Sequence, residues 1–254
     1  MERSDGVVTL TIDRQHRKNA ITAAMWQGLV EIFDEVATNR DDRVLVITGA
    51  GDAFCSGADL SAGEQTMGGA GTSVAGMRVV GRAALRLHEL PQPTIAAVNG
   101  VAAGAGCNLA LGCDLIVASD RARFTEIFSR RGLALDFGGS WLLPRLVGLH
   151  KAKELALLGG IIDATEAERL GLVNRVVAHG DFETEVAALA RQLAQGAPLQ
   201  LATIKRQLND ALSKSFAEAI EGETIAQSLM FTSGDTAEAM LAFMQKRDPN
   251  FTGE

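Results

Sequence analysis

Apolar and polar residues alternate along the first 120 residues in a pattern that predicts strands separated by helices. Short apolar runs, two of them rich in β-branched residues, predict buried strands over residues 6–12, 43–48, 94–98 and 114–118. After Thr22, a suitable N-cap, apolar residues recur at helical spacing, and a second helix is predicted over residues 105–111. Strands that alternate with helices form parallel sheets, so this half of the chain predicts an α/β architecture.

From about residue 138 the pattern is almost entirely helical. Helices are predicted over residues 139–147, 150–158, 165–170, 183–195, 199–213, 216–232 and 235–246, with one strand over 173–177. The last helices are amphipathic, and such helices usually bury their apolar face. We therefore predict a core over residues 1–196 and a helical C-terminal region over 197–254 that packs on the core and on neighbouring subunits.

The amino-acid composition excludes some classes of protein and argues against others. Hydrophobic residues make up 47% and charged residues 22% of the chain, which excludes a disordered protein. The net charge of −7 argues against a nucleic-acid partner, because binding phosphates requires a clustered positive face. Glycine is in excess, with 27 residues in 254, or about 11% against an average nearer 7%. This excess needs a structural reason.

An uncharged stretch of 24 residues, 90–113, is long enough to span a membrane. Two prolines and four glycines within it instead favour a buried strand, a turn and a buried helix. The first residues show no targeting segment, so we expect a cytoplasmic protein. Three cysteines without a CxxC pair indicate buried reduced thiols, and with only four histidines we expect no metal site.

Two glycine-bearing turns, 54–60 and 99–108, each follow a predicted strand. Small residues there let backbone N–H groups face open space, as an anion or a developing oxyanion requires. The alternative is that these glycines only permit tight turns and close packing. A dinucleotide-binding loop is disfavoured, because Leu109 stands where a third small residue would follow Gly106.

These turns also carry a family resemblance. The runs 53–60 (AFCSGADL), 93–106 (PTIAAVNGVAAGAG) and 113–118 (CDLIVA), with the ends 13–21 and 246–251, resemble the enoyl-CoA hydratase/isomerase (crotonase) superfamily across essentially the whole chain. The resemblance implies a spiral of ββα units with a C-terminal helical trimerisation region, in a homotrimer or a dimer of trimers. It also implies an acyl-CoA substrate without a separate cofactor.

The resemblance further implies which residues bind the substrate. The backbone amides of Ala58 and Ala105 would donate hydrogen bonds to the thioester oxygen, and the coenzyme A site would include Arg17, Lys18, Ala20, Ser56, Gly57, Asp59, Leu60, Gly104, Lys205 and Lys246. The cations at 17, 18, 205 and 246 are candidate phosphate partners, against the alternative of solvated surface charges. For Asp59 we predict a structural role, closing its loop through side-chain hydrogen bonds.

The residue that acts as acid or base is sought at the positions that correspond to those of the family. The two glutamates that hydratases of this family use correspond to Asn108 and Phe128, neither of which transfers a proton. Glu126 is a reserve candidate two residues before Phe128. Asp136, within residues 132–145 (GLALDFGGSWLLPR), resembles the acid/base aspartate of isomerases of phenylacetyl-CoA catabolism. The alternative is an Asp136 that merely caps the helix near Gly138.

We favour catalysis by Asp136, with apolar neighbours that raise its pKa (Phe128, Leu133, Leu135, Phe137 and Trp141). One carboxylate suits double-bond isomerisation, since a single base can remove a proton and return it elsewhere. The alternatives are a 2-enoyl-CoA hydratase using Glu126 or Asp136, an aroyl-CoA dehalogenase with Asp136 as nucleophile, and a silent acyl-CoA binder. Residues 62–80 are expected to form a mobile wall of the acyl pocket.

Overall fold

The computed structural model describes residues 1–60 and 70–254, which form two β-sheets and the helices around them. The first sheet contains six strands in the spatial order β1 (Glu2–Ser4), β2 (Val7–Ile12), β3 (Val44–Gly49), β5 (Thr94–Val98), β7 (Leu115–Ser119) and β10 (Arg175–Val177). The second contains β4 (Ala53–Cys55), β6 (Val101–Ala103), β8 (Arg123–Thr125) and β9 (Ile162–Asp163). Neighbouring strands are parallel except for the pairs β1–β2 and β8–β9.

Nine α-helices lie in the described part of the chain. They are α1 (Ala23–Thr38), α2 (Ala70–Glu89), α3 (Ala105–Leu111), α4 (Gly139–Leu158), α5 (Ala164–Arg169), α6 (Phe182–Ala194), α7 (Pro198–Ala211), α8 (Phe216–Met230) and α9 (Gly234–Gln245). Short 3-10 helices cover Gln15–Arg17 and Ile127–Arg131. The Thr22 side chain accepts a hydrogen bond from the Met25 amide, as predicted for the α1 N-cap.

The chain winds as a spiral. Each turn adds one strand to the first sheet and one to the second, as in β3–β4, β5–β6 and β7–β8, and the first two of these turns then continue into α2 and α3. This confirms the predicted α/β spiral of ββα units. The first sheet is covered on one face by α1, α2 and α3, and on the other by α6 through Phe182, Val186 and Ala190.

The predicted helices and the observed ones agree closely after residue 138, with one instructive difference. The segments predicted over 139–147 and 150–158 join as α4, in which Gly148 has non-helical dihedrals. Of the segment expected to be a mobile wall, residues 62–69 lie outside the described residues and 70–80 belong to α2.

The uncharged stretch folds as β5, β6 and α3, the buried strand, turn and helix that its glycines favour. No helix in the described ranges has the length and hydropathy needed to cross a membrane. The cysteines are free and buried, and burial raises the pKa of Cys55 and Cys113 to about 12.

Candidate active site

The loop after β4 is held against the segment after β2 by a ladder of backbone hydrogen bonds. The Ile21 amide donates to the Gly57 carbonyl at 2.8 Å, and the Asp59 amide donates to the Ile21 carbonyl at 2.9 Å. The Asp59 carboxylate pairs with Arg14 at 2.7 Å, an ion pair that supports the structural role predicted for this residue. The two predicted coenzyme A segments are thus neighbours.

Further contacts join these segments, and they involve the remaining predicted residues of both. The Ser56 amide donates to the Lys18 carbonyl at 3.0 Å, and the Ser56 hydroxyl donates to the Arg17 carbonyl at 3.1 Å. Ala20 is buried and its carbonyl accepts from Arg14, whereas Leu60 is exposed at the end of the loop. Backbone contacts therefore fix the loop while leaving its tip open.

Gly57 brings this loop against the turn before α3. A Cβ atom at Gly57 would lie 2.8 Å from the Ala103 oxygen and 3.5 Å from the Ala105 nitrogen, and its φ of +96° also favours glycine. The two glycine-bearing turns therefore meet, and the Ala105 amide lies beside the residue that precedes Ala58.

Two amides at this junction have no acceptor. Neither the Ala58 nor the Ala105 nitrogen donates a hydrogen bond to any residue among 1–60 and 70–254. Ala105 is the first residue of α3, where amides lack intrahelical partners and the helix dipole adds positive potential. Gly104, the N-cap of α3, has a positive φ of +53° and lies close to the Phe128 ring. The arrangement can bind an oxyanion.

Asp136 lies in the loop before α4, next to the first turn of α3. The Asn108 side chain donates from Nδ2 to the Asp136 backbone carbonyl at 3.0 Å. The Asp136 carboxylate does not cap α4, because the N-cap is Gly138 and no side chain bonds there. The capping alternative is therefore wrong. Burial raises the pKa of Asp136 to about 6, which suits a base near neutral pH.

The neighbours expected to desolvate Asp136 divide into two groups. Phe128 and Phe137 are buried and Leu135 is partly buried, whereas Leu133 and Trp141 are exposed and shield their surroundings less from water. Phe137 has a φ of +46°, uncommon for a residue with a side chain, and its ring packs against Trp26 at a centroid distance of 5.4 Å. The backbone is therefore constrained at the residue that directly follows Asp136.

Glu126, the reserve candidate, belongs to the same cluster. It is 3% exposed, and no hydrogen bond of normal geometry reaches either of its carboxyl oxygens from the described residues. Burial, followed by the charge of Asp136, raises its pKa to about 7, although the nearby Cys107 and Asn108 side chains partly oppose this rise. The structure therefore brings together Asn108, Glu126 and Asp136.

Two members of this cluster escaped the sequence prediction. Gly139 is required because a Cβ there would lie 2.3 Å from Asn108 Nδ2, and Cys107 borders the Glu126 carboxyl. The glycine pair at 138–139 was a visible signal, but it gave no hint of what the second glycine touches. Nothing in the sequence pattern distinguishes Cys107 from the other buried cysteines.

The candidate phosphate partners have different surroundings. Arg17 and Lys18 are exposed beside the loop that holds Ala58, with Lys18 paired to Asp52. Lys205 is 9% exposed and pairs with Asp114 at 2.8 Å, so its ammonium group already has a partner inside the chain, which argues against the expected phosphate contact. Lys246 caps the end of α9, and no described contact joins it to the amide turns.

Comparison with known proteins agrees with this geometry. The family model for enoyl-CoA hydratase/isomerase matches residues 2–254. A 1,2-epoxyphenylacetyl-CoA isomerase of Escherichia coli is 39% identical over 252 residues, covering 98% of this chain and 96% of that protein. A crotonyl-CoA hydratase of Syntrophomonas wolfei is 36% identical over 262 residues, with coverage of 99% and 96%.

Solved structures show the same similarity. The crystal structure of an enoyl-CoA hydratase from Polaromonas sp. JS666 matches with a TM-score of 0.94 at 32% identity, covering 98% of each chain. That of an enoyl-CoA hydratase from Bacillus anthracis matches with a TM-score of 0.93 at 30% identity, covering 98% of this chain and 96% of the other.

Proposed function

The chain belongs to the enoyl-CoA hydratase/isomerase family, and from that premise we propose that it isomerises the double bond of an enoyl-CoA with Asp136 as acid and base. One observation carries the proposal: the Asp136 carboxylate is partly buried and makes no hydrogen bond to the described residues, while the backbone carbonyl of Asp136 accepts from Asn108 on α3, the helix that begins at Ala105. Asn108 and Phe128, which occupy the positions that the family resemblance gives to the two hydratase glutamates, cannot exchange protons.

The proposed reaction moves one proton along the acyl chain. The Asp136 carboxylate removes a proton from Cα of a 3-enoyl thioester, which leaves a dienolate with negative charge on the thioester oxygen. The amides of Ala58 and Ala105 donate to that oxygen, and loss of one such donor costs about 3 to 4 kcal/mol in comparable sites. Protonated Asp136 then returns the proton to Cγ. Its pKa of about 6 leaves it ionised at pH 7, so it can accept the first proton.

Hydration of a 2-enoyl-CoA is the second candidate, and Glu126 is the observation that favours it. A hydratase needs two groups, one to activate water and one to protonate Cα, and a second buried carboxyl lies beside Asp136. Relatives named as hydratases and as isomerases both match the chain. The isomerase remains our first choice, because a single ionised carboxylate satisfies its proton balance.

Assembly and coenzyme A binding complete the proposal. Arg17 and Lys18 would bind phosphates of the coenzyme A part of the substrate, and the reaction needs no separate cofactor. The family resemblance implies a homotrimer or a dimer of trimers, and a subunit contact is supported by the apolar side chains that the C-terminal helices leave exposed in a single chain. They include Leu208, Leu212, Phe216, Leu229, Phe231, Phe243 and Met244.

The test compares turnover of 2-enoyl and 3-enoyl thioesters, following both double-bond migration and formation of the 3-hydroxyacyl product. For Asp136→Asn we expect isomerisation to fall by about 10²- to 10⁴-fold, since general acid–base catalysis contributes on that scale. Asp181→Asn, at an exposed position without a capping bond, serves as the matched control and retains activity. Full turnover in Asp136→Asn would contradict the assignment, and 3-hydroxyacyl product alone would favour the hydratase.

A further inference from the structure

Glu126 is a buried acid that the proposed reaction does not use. It directly follows β8, and the described residues give its two carboxyl oxygens no hydrogen-bond donor of normal geometry. An ionised carboxylate that is removed from water without hydrogen bonds is strongly disfavoured. The protonation state of this side chain therefore needs an explanation of its own.

Within the described ranges, the neighbours of Glu126 offer its carboxyl donors only from Asn108 and Cys107, and neither makes a hydrogen bond of normal geometry to it. The Oδ1 atoms of Asn108 and Asp136 are also buried without partners among the described residues. Asn108 uses one of the two N–H groups of its Nδ2 on the Asp136 carbonyl, and the thiol of Cys107 is only a weak donor. A buried cluster of acceptor oxygens is stable when one of the carboxyls keeps its proton and becomes a donor.

We propose that Glu126 is protonated in the resting protein, and that this neutral acid positions Asp136 as the ionised base. Glu126 is the more deeply buried of the two carboxyls, so the proton resides there. Its effect on the rate rests on the function proposed above, whereas the proton itself can be measured without substrate. Glu126 is then a positioning residue, because it acts on the reaction through Asp136.

The hydrogen bonds of β8 connect this proton to the oxyanion site. Thr125, the residue before Glu126, accepts a hydrogen bond through its carbonyl from the Gly104 amide at 2.9 Å. Gly104 immediately precedes Ala105, so a charge on Glu126 would lie close to the amide that faces the developing enolate. Two negative charges in a poorly solvated site repel each other, and loss of the Glu126 proton therefore opposes enolate formation.

The sign of the resulting pH dependence follows from the two carboxyls. Burial raises the pKa of Asp136 to about 6, and the pKa of Glu126 is raised to about 7. Activity should rise as Asp136 loses its proton and fall as Glu126 loses its own. The titratable neighbours facing Glu126 among the described residues are Asp136 and Cys107, and burial raises the pKa of the Cys107 thiol well above its usual value. Cys107 therefore stays neutral through this range.

Infrared difference spectroscopy tests the proton directly. The wild type minus Glu126→Gln spectrum should contain the carbonyl band of a protonated carboxylic acid, which disappears as the pH passes about 7. In Asp136→Asn that disappearance should move to lower pH, because the charge that helps to retain the proton is gone. A wild type without this band at pH 6, or a midpoint unchanged by Asp136→Asn, would overturn the proposal.

The pH profile of kcat/KM tests the role. Glu126→Gln should retain wild-type activity within about threefold at pH 6.5, because the amide is neutral like the acid, and should exceed the wild type roughly tenfold at pH 8.5. The exposed Glu221→Gln, on α8, is the matched control and keeps the wild-type profile. A Glu126→Gln enzyme with the same alkaline fall, or one inactive at every pH, would contradict the proposal.

Two further comparisons keep the outcome clear. If Glu126→Gln does not fold, Glu126→Met, which is neutral but cannot donate, serves as the infrared reference, and its kcat/KM should still lack the alkaline fall. Full isomerase activity in Asp136→Asn would remove the proposed function but leave the infrared result standing, so the two failures can be distinguished.

Discussion

The glycine-bearing turns and the C-terminal helices use small and apolar residues in opposite ways. At the turns, backbone approaches backbone so closely that Cβ atoms at Gly100 and Gly106 would lie 2.0 Å and 2.2 Å from carbonyl oxygens. In α8, a Cβ at Gly222 would meet nothing within 4 Å, and large apolar side chains such as Phe216 are exposed. The turns are packed closely within one chain, whereas the C-terminal helices leave large apolar side chains exposed.

The same substitution in the two regions should have opposite effects, and this is the largest difference we expect. Gly106 and Gly222 are both helical, so Ala at either position gains intrinsic helix stability of up to about 1 kcal/mol. At Gly106 the clash with the Cys55 carbonyl overrides this gain, and we expect a loss of about 3 kcal/mol or more in the free energy of unfolding. Gly222→Ala should be neutral or stabilising.

Chemical denaturation at one protein concentration measures both variants. If Gly106→Ala and Gly222→Ala changed stability equally, close backbone approach would not distinguish the turns from the helices.

Lys205 tests how the C-terminal helices are joined to the core, since it lies on α7 and pairs with Asp114 beside the first sheet. Asp114 Oδ2 also accepts from the Thr94 amide and hydroxyl, at 2.7 Å and 2.8 Å. Lys205→Met should lower the free energy of unfolding by about 2 kcal/mol, because it leaves a partly buried carboxylate without its counter-ion. Affinity for coenzyme A, measured by calorimetry, should not change.

The matched control is Lys214→Met, whose ion pair with Asp210 is exposed and should contribute less than about 0.5 kcal/mol. A weaker coenzyme A affinity in Lys205→Met at unchanged stability would instead indicate that Lys205 binds the phosphates of coenzyme A.

The smallest effect on folding should come from the exposed apolar face, although its effect on assembly should be large. Leu229→Gln, on α8, should change the stability of a single chain by no more than about 0.5 kcal/mol, as is usual at exposed positions. In sedimentation experiments the same variant should shift the protein toward smaller species, with Glu221→Gln as a control on the same helix. An unchanged sedimentation profile would place the subunit contact elsewhere.

The parts of the fold that were predictable are those whose signal is local. The periodicity after Thr22 defines α1, and the apolar residues 95–98 define most of β5, because each pattern is longer than one structural repeat. The second sheet carries no such signal. Its strands have two or three residues each, too short for alternation to appear, and its place in the spiral came only from the family resemblance.

The site was predictable to the same limited degree. The family resemblance named Asp136 and the two amides as candidates, but motifs contain no information on burial. For that reason Glu126 ranked as a reserve, and Lys205 looked like any other surface cation. Only packing shows that one is nearly inaccessible to water and the other already paired.

The neighbouring parallel strands β4, β6 and β8 have a consequence for how chemistry can change in this fold. Their carboxyl ends lie at one edge of the second sheet, and the segments that follow them provide Ala58, Ala105 and Glu126 in turn. Successive turns of the spiral thus provide successive parts of one candidate site. The segments after β4 and β6 contribute backbone groups, so their role does not depend on a particular side chain. The segment after β8 contributes a side chain, so one substitution there can alter the acidity of the site without changing the two amides.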